Sequence, residues 1–402
     1  MPDTHHKGKW IEIFGAFLKL GLTSFGGPIA HLGYFQNEFV VRRKWLDAQA
    51  FADLVALCQF LPGPASSQVG FALGLSRGGL LGGCVAWLGF TMPSALLLTA
   101  FAYYSSSIGG PIGTGVLHGL KIVAVAVVAQ AVWIMARNLC PDRQRATIAF
   151  IGLLIVIAVS GAIGQIAAIT MGAVAGLAFC RSEPSLKAGH LSFSLSRRTG
   201  IISLGAFFVL LAGLPLLATF IHSNALSLIN AFYRSGALVF GGGHVVLPLL
   251  QTEFVKTGLV DNNTFLAGYG AAQAIPGPLF TFSAYLGAVM KTPPNGWAGA
   301  MISLVSIFLP GLLLLTGMLP FWDNFRRLTT GQAAMRGVNA AVVGLLGAAL
   351  YTPLWTSTIH TAYDFGLALT GFILLTIWKV PPWVIVIFSA VGAALISLAQ
   401  LS

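Results

Sequence analysis

Charge is what this sequence has least of. Only 8% of its 402 residues are Asp, Glu, Lys or Arg, and 11 of them are acidic. A water-soluble domain typically carries ~25% charged residues. A soluble globular fold is therefore excluded, and an all-α polytopic membrane protein is expected. Cysteine is scarce as well. Cys58, Cys84, Cys140 and Cys180 form no CxxC pair, which argues against a disulfide framework or a zinc site. Each lies in or at the end of an apolar run, where a reduced thiol behaves as a small hydrophobe. No CxxCH, no HExxH and no nucleotide-binding glycine loop after a strand is present, so an intramembrane enzyme finds no support, and no cofactor or metal is expected. The stretch from Met1 to Trp10 lacks the apolar core of a secretory signal peptide.

What is abundant is apolar length and glycine: 56% of residues are hydrophobic, 48 are glycine, and the mean hydropathy is +0.84. The net charge of +11 comes from basic residues scattered through short loops. That pattern fits positive-inside topology better than nucleic-acid binding. Apolar segments are read at 12–35, 48–75, 79–104, 115–136, 146–160 and 163–180, then at 201–221, 228–250, 264–289, 297–319, 334–354, 361–378 and 383–400. That makes about thirteen transmembrane segments, most near the ~17–25 residues that cross a bilayer. The polar, basic stretch 181–200 divides them as a linker. The expected organisation is a first membrane repeat over 11–180, a cytoplasmic linker over 181–200, an extra helix over 201–225 and a second repeat over 226–402.

The repeat is explicit in the residues. Ser24-Phe25-Gly26-Gly27 matches Val239-Phe240-Gly241-Gly242 at an offset of 215, and the same register sets Gln36, Glu38 and Phe39 against Gln251, Glu253 and Phe254. After one deletion, Asp47 meets Asp261, and Gln59 with Pro62-Gly63-Pro64 meets Gln273 with Pro276-Gly277-Pro278, at an offset of 214. Pro93 then meets Pro310 and Gly119 meets Gly337, at offsets of 217 and 218. An odd number of segments separates equivalent points, so the second copy is expected to be inverted. Loop charges agree. Arg137, Arg143, Arg145, the linker, Arg326, Arg327 and Lys379 fall on one side, while 105–115, 159–165, 222–226 and 354–363 hold no Lys or Arg. The first side is then cytoplasmic, with the N-terminus cytoplasmic and the C-terminus periplasmic. Arg42, Arg43 and Lys44 obey this rule only if 12–35 and 48–75 are re-entrant hairpins rather than crossings.

The breaks carry the functional expectation. Proline inside a helix removes a hydrogen bond and clashes with the preceding turn, and freed backbone groups survive in lipid only when buried or lining a polar cavity. Interrupted helices at matching places in two halves point to a transporter's substrate site, with half-helix N-termini facing an anion. Gly26, Gly27, Gly241 and Gly242, together with Pro62-Gly63-Pro64 and Pro276-Gly277-Pro278, are expected to converge on one such site. Gln59 and Gln273 are candidates to orient oxygens there. Lys19 and Arg234 share one repeat position; Lys121 and Arg336 stand near another. Each either balances an anion or snorkels to the interface. Glu38, Asp53 and Glu253 are the candidates for proton coupling, against the plainer roles of interfacial salt bridge or helix cap. His31 and His244 lie near the breaks without being repeat-equivalent, so interior hydrogen bonding is expected of them.

Taken together, Phe25-Gly26-Gly27-Pro28, Gln36-Asn37-Glu38-Phe39, Gln59-Phe60-Leu61-Pro62-Gly63-Pro64, Phe240-Gly241-Gly242-Gly243 and Gln273-Ala274-Ile275-Pro276-Gly277-Pro278 resemble the chromate ion transporter family, and within it the long-chain members built of two homologous halves. The resemblance covers nearly the whole chain except the linker and the termini. It implies chromate efflux from the bacterial cytoplasm across the inner membrane, with sulfate as a similar oxyanion; the alternative is a carrier of sulfate or another oxyanion, an importer included. The partners it implies are that small anion and the lipid bilayer, with no nucleic acid; a homodimer is left open. Gly243 stands where the first half has Pro28, a departure from strict equivalence.

Overall fold

The computed structural model describes residues 5–105, 110–159, 161–180, 195–240, 242–322 and 328–399. Most of the linker, together with Gly241, Arg326 and Arg327, lies outside the described residues. Helix α1 (His5–Thr23) breaks before α2 (Gly27–Phe35), which ends in a π-helical turn, Gln36–Arg42. Helix α3 (Ala48–Phe60) breaks before α4 (Ala65–Ser105), itself kinked at Gly78 and Gly79. Then come α5 (Gly110–Leu139), α6 (Arg143–Ala158), α7 (Ala162–Phe179) and α8 (Arg197–Phe220). The pattern resumes with α9 (Asn224–Ala237), α10 (Val246–Phe254), α11 (Asn262–Ala272), α12 (Phe282–Val289) and α13 (Gly296–Met318). Helices α14 (Thr329–Ala349), α15 (Ala362–Thr376) and α16 (Pro382–Ala399) complete it. Among the described residues there is no strand.

Local chemistry sets these boundaries. The side chains of Asp47 and Asp261 accept from the amides of Ala50 (2.7 Å) and Thr264 (3.0 Å), capping α3 and α11 at equivalent points. Leu61, placed before Pro62, is extended at φ −75° and ψ 147°, and ends α3. Helix α5 starts at Gly110, five residues ahead of the apolar run, so Lys121 lies well inside a helix rather than near its start.

Among the described residues, seven helices are long and apolar enough to cross a membrane: 65–105, 112–139, 162–179, 197–220, 296–321, 329–355 and 382–399. The helices flanking the breaks are shorter. At about 1.5 Å per residue, the 13 residues of α3 span roughly 20 Å, against ~30 Å of hydrocarbon. They fold back. Arg43 reaches Glu12 of α1 at 3.0 Å, Arg77 lies 3.8 Å from the same carboxylate, and the Trp45 ring stacks under both guanidinium groups. The start of α1, the turn after α2 and the kink of α4 therefore sit together. Likewise Asn224 at the start of α9, Thr257 after α10 and Thr292 after α12 line one cavity of about 220 Å³.

Small residues bring the remaining helices together. Gly115 of α5 approaches Ala394 of α16 so closely that a Cβ would stand 2.7 Å from its Cα, and one at Gly119 would overlap the Ser389 carbonyl. Helix α14 lies on α7 in the same way, Gly337 against Gly172 and Gly176. Spacing of small residues four apart is how membrane helices approach in the absence of a hydrophobic drive between them. The N-terminal and C-terminal stretches therefore interlock. On the outside, α8 exposes Ile201, Phe208, Val209, Leu216 and Phe220, a surface suited to lipid tails. The chain is a multi-pass membrane protein.

Candidate functional site

The four breaks meet. The Gly63 amide donates to the Val239 carbonyl at 2.7 Å, and the Gly277 amide donates to the Ser24 carbonyl at 2.9 Å. Each proline-flanked glycine thus satisfies the carbonyl end of the helix interrupted by the other glycine pair. The first and third breaks also touch, since a Cβ on Gly243 would lie 3.5 Å from Pro28 Cγ. Gly63 and Gly277 have φ of +121° and +104°, a region that residues with a Cβ rarely adopt. There is no room for one either: it would meet Gly311 Cα at 3.0 Å in the first case and Ser94 Oγ at 2.7 Å in the second. Glycine is required here for both conformation and closeness.

Helices α2, α4, α10 and α12 begin at or just beyond these breaks, the last two through single 3₁₀ turns, Gly243–Val245 and Leu279–Thr281. First-turn amides have no partner within their own helix, so the junction offers donors and the positive ends of dipoles. Gly26 caps α2 in the left-handed conformation, with Gly27 opening the helix; Gly242 precedes the 3₁₀ turn. Gln59 is exposed in the last turn of α3, and Gln273 is half-buried at the end of α11, where its Nε2 is buried without a hydrogen-bond partner in the protein.

The charged candidates are engaged as follows. Arg234 at the end of α9 forms an ion pair with Glu253 of α10. Glu38, at the equivalent position, is held instead by Arg42 (2.9 Å) and Arg43 (2.6 Å). Lys19 is exposed on α1. Lys121 donates to Asn263 at 3.1 Å, and Arg336 donates to the Cys180 carbonyl at 3.0 Å, at the end of α7. Asp53 is buried in α3, where it accepts from Gln49 at 3.4 Å.

The family model that describes the chromate transporter matches residues 11–177 and 226–395. The chain belongs to the chromate transporter family. It is 28% identical over 396 residues to a chromate transport protein of Pseudomonas aeruginosa, covering 95% of this chain and 91% of that one. It is 26% identical to a probable chromate transport protein of Synechococcus elongatus, over 94% and 93% of the two chains. An uncharacterized transporter of Methanocaldococcus jannaschii is 26% identical over 84% of this chain and 82% of its own. No solved structure matches. In this chromate transporter family member, the junction also contains polar side chains that a search for charge passes over: Ser24, Ser66, Ser67 and Gln68, all at most 3% exposed. His31 joins two of the breaks, with Nε2 3.2 Å from the Ser24 carbonyl and Nδ1 3.4 Å from Ser66 Oγ. The available signal was the run Ser66-Ser67-Gln68 directly after Pro62-Gly63-Pro64, where the first turn of a helix follows a break.

Proposed function

We propose that this protein exports chromate across the bacterial inner membrane, and that the anion passes through the junction of the four breaks. The observation that carries this reading is the reciprocal pair of hydrogen bonds, Gly63 to Val239 and Gly277 to Ser24. Since 239 is 24 plus 215 and 277 is 63 plus 214, the two bonds are one contact made twice. A two-fold relation supports two antiparallel copies around a shared centre. The small-residue contacts repeat in the same way, Gly115 with Ala394 and Ala333 with Gly176, each pair displaced by 218. The named chromate transport proteins among the relatives supply the substrate.

In this reading the segments 12–35, 48–75, 228–250 and 264–289 are re-entrant hairpins. Nine crossings remain: the second part of α4, α5 to α8, and α13 to α16. Arg42, Arg43 and Lys44 then join the cytoplasmic side with the N-terminus, and the cavity beside Thr257 and Thr292 opens to the periplasm, where the C-terminus also lies. Five crossings separate the first break from the third, and an odd number inverts the second copy. Half-helix N-termini at mid-membrane suit a tetrahedral dianion such as chromate or sulfate. A charge moving through 100 mV is worth about 2.3 kcal/mol, and a dianion roughly twice that, so an inside-negative potential favours outward movement without a proton relay. Everted membrane vesicles test both points. Chromate uptake that depends on the protein, and falls when the potential is collapsed with the pH gradient kept, is expected. No uptake sinks the substrate, and uptake indifferent to the potential sinks the driving force. Competition by sulfate measures how far the site reads shape and charge alone.

A further inference from the structure

Two equivalent turns, the one after α2 and the one after α10, carry different side chains. In the first, Glu38, Arg42, Arg43, Glu12 and Arg77 form one connected ion cluster. The register of the repeat sets Ser227 against Glu12, Thr257 against Arg42 and Gly258 against Arg43, while Glu253 still answers Glu38 and Lys291 answers Arg77. The second copy thus lacks the two arginines that hold the carboxylate in the first. Glu253 instead pairs with Arg234, on the neighbouring helix α9.

The uncharged face left by those replacements holds the cavity of about 220 Å³. Asn224, Ser227, Asn230, Thr257 and Thr292 give it a neutral polar lining, and among the described residues Glu253 is the only charged one there. Glu253 also borders a smaller pocket, which it shares with Arg234, Ser235 and Leu238 of α9. Glu253 therefore faces both spaces, and Arg234 only the inner one. Leu238 adjoins Val239, whose carbonyl accepts from Gly63 at the crossing of the breaks. Arg234 lies well inside α9, roughly 15 Å along the helix from Asn224 at 1.5 Å per residue. An ionisable side chain at such depth is costly to keep and marks the path of a substrate or ion.

We infer that Arg234 is an anion station beside the junction, and that Glu253 is its resident counter-ion, displaced by the oxyanion as it passes. The inference rests on the reading that the junction carries the anion, and adds the next contact on the way out. A tetrahedral oxyanion can accept from the same guanidinium N–H groups that now donate to Glu253 Oε1. Competition for one cation keeps the anion from binding too tightly to leave, and the released carboxylate repels it toward the neutral cavity. Helix α10 need not shift for this. Gln165 of α7 ties it down, with Nε2 donating to the Pro248 carbonyl at 2.9 Å and to Thr252 Oγ1 at 3.0 Å, so the exchange is one of side chains.

The test measures chromate and sulfate affinity by calorimetry, counterflow in proteoliposomes and melting temperature, all on the purified full-length protein. Glu253→Gln removes the competitor and is expected to tighten binding by about tenfold, the worth of a hydrogen bond to a charged group, while slowing counterflow. Arg234→Gln leaves the carboxylate facing the anion and is expected to weaken binding by about tenfold or more. That variant also leaves a charge uncompensated, so it is combined with Glu253→Gln in one chain. The double variant is expected to melt closer to wild type and to bind about tenfold more weakly than Glu253→Gln alone. An ion pair that only joins α9 to α10 would instead leave Glu253→Gln with a lower melting temperature and an affinity unchanged or weakened. That result, or a double variant that binds as tightly as Glu253→Gln, overturns the counter-ion role alone where wild type transports. A wild-type protein that neither binds nor moves either anion overturns the oxyanion reading, and this inference with it.

Discussion

Two glycines hold the crossing, and they press on different things. Gly63 faces the Cα of Gly311, whereas Gly277 faces the hydroxyl of Ser94, the residue in the register of Gly311. Backbone cannot move aside without shifting a helix, while a hydroxyl can be removed. The same two-fold contact is therefore rigid on one side and adjustable on the other. Substitution should expose the difference. A positive-φ strain of about 1–3 kcal/mol is common to both sites, and overpacking adds about 1–3 more. Gly63→Ala is expected to cost about 3–5 kcal/mol and abolish chromate transport. Gly277→Ala is expected to cost somewhat less, and Ser94→Gly in the same chain to recover about 1 kcal/mol of it by relieving the overpacking. Thermal unfolding in detergent measures both, and a Ser94→Gly background that leaves Gly277→Ala no better would show that the hydroxyl is not the obstacle.

The ion pairs give a second, smaller contrast between the halves. Among the described residues Glu253 has a single ion-pair partner, Arg234, and the two side chains are 16% and 31% exposed. Glu38 has two, and Arg42, the outer one, is 61% exposed. Removing a sole partner from a largely buried carboxylate leaves a charge uncompensated, whereas an exposed pair is worth little. Arg234→Gln is thus expected to destabilise the protein by about 1–2 kcal/mol, tempered by its partial exposure, and Arg42→Gln by less than about 0.5 kcal/mol. Equal losses in a melting experiment would mean that Arg43 does not sustain Glu38 alone.

These contrasts also mark how far the sequence could be read. The breaks, their pairing and the all-helical membrane architecture were legible because proline and glycine act locally: Pro62 ends α3 whatever surrounds it. The path of 12–35 and 48–75 was not, because a mostly apolar stretch of 24 residues is long enough to cross and says nothing of the turn at Ser24. That path follows from Arg43 meeting Glu12, a contact across 31 positions that no periodicity encodes. The charged candidates were conspicuous in a chain poor in charge, yet Arg336 closes the end of α7 and Lys121 reaches the start of α11. Serines after a proline are ordinary helix starts in sequence. Only burial without a partner separates Ser67 from such a cap.

Glu38 offers the finest comparison, because acid removes its pairing by protonating the carboxylate that Arg42 and Arg43 hold. Burial pushes its carboxyl upward, but the hydrogen bonds from Arg43 and Arg42 outweigh that and hold it below the ordinary value of 4.5. A carboxyl whose folded value is depressed stabilises fully above its unfolded value and loses that contribution as pH falls through the folded one. Wild type should therefore melt above Glu38→Gln at neutral pH, and the gap should close as pH falls below 4.5 and through the depressed folded value. Glu253→Gln serves as the reference, since its pair is made with a different cation on a different hairpin. A Glu38 gap that stays constant into acid would mean that the π-helical turn is held by the packing of Phe39 against Trp45, with ring centroids 4.6 Å apart, and not by the charges beside them.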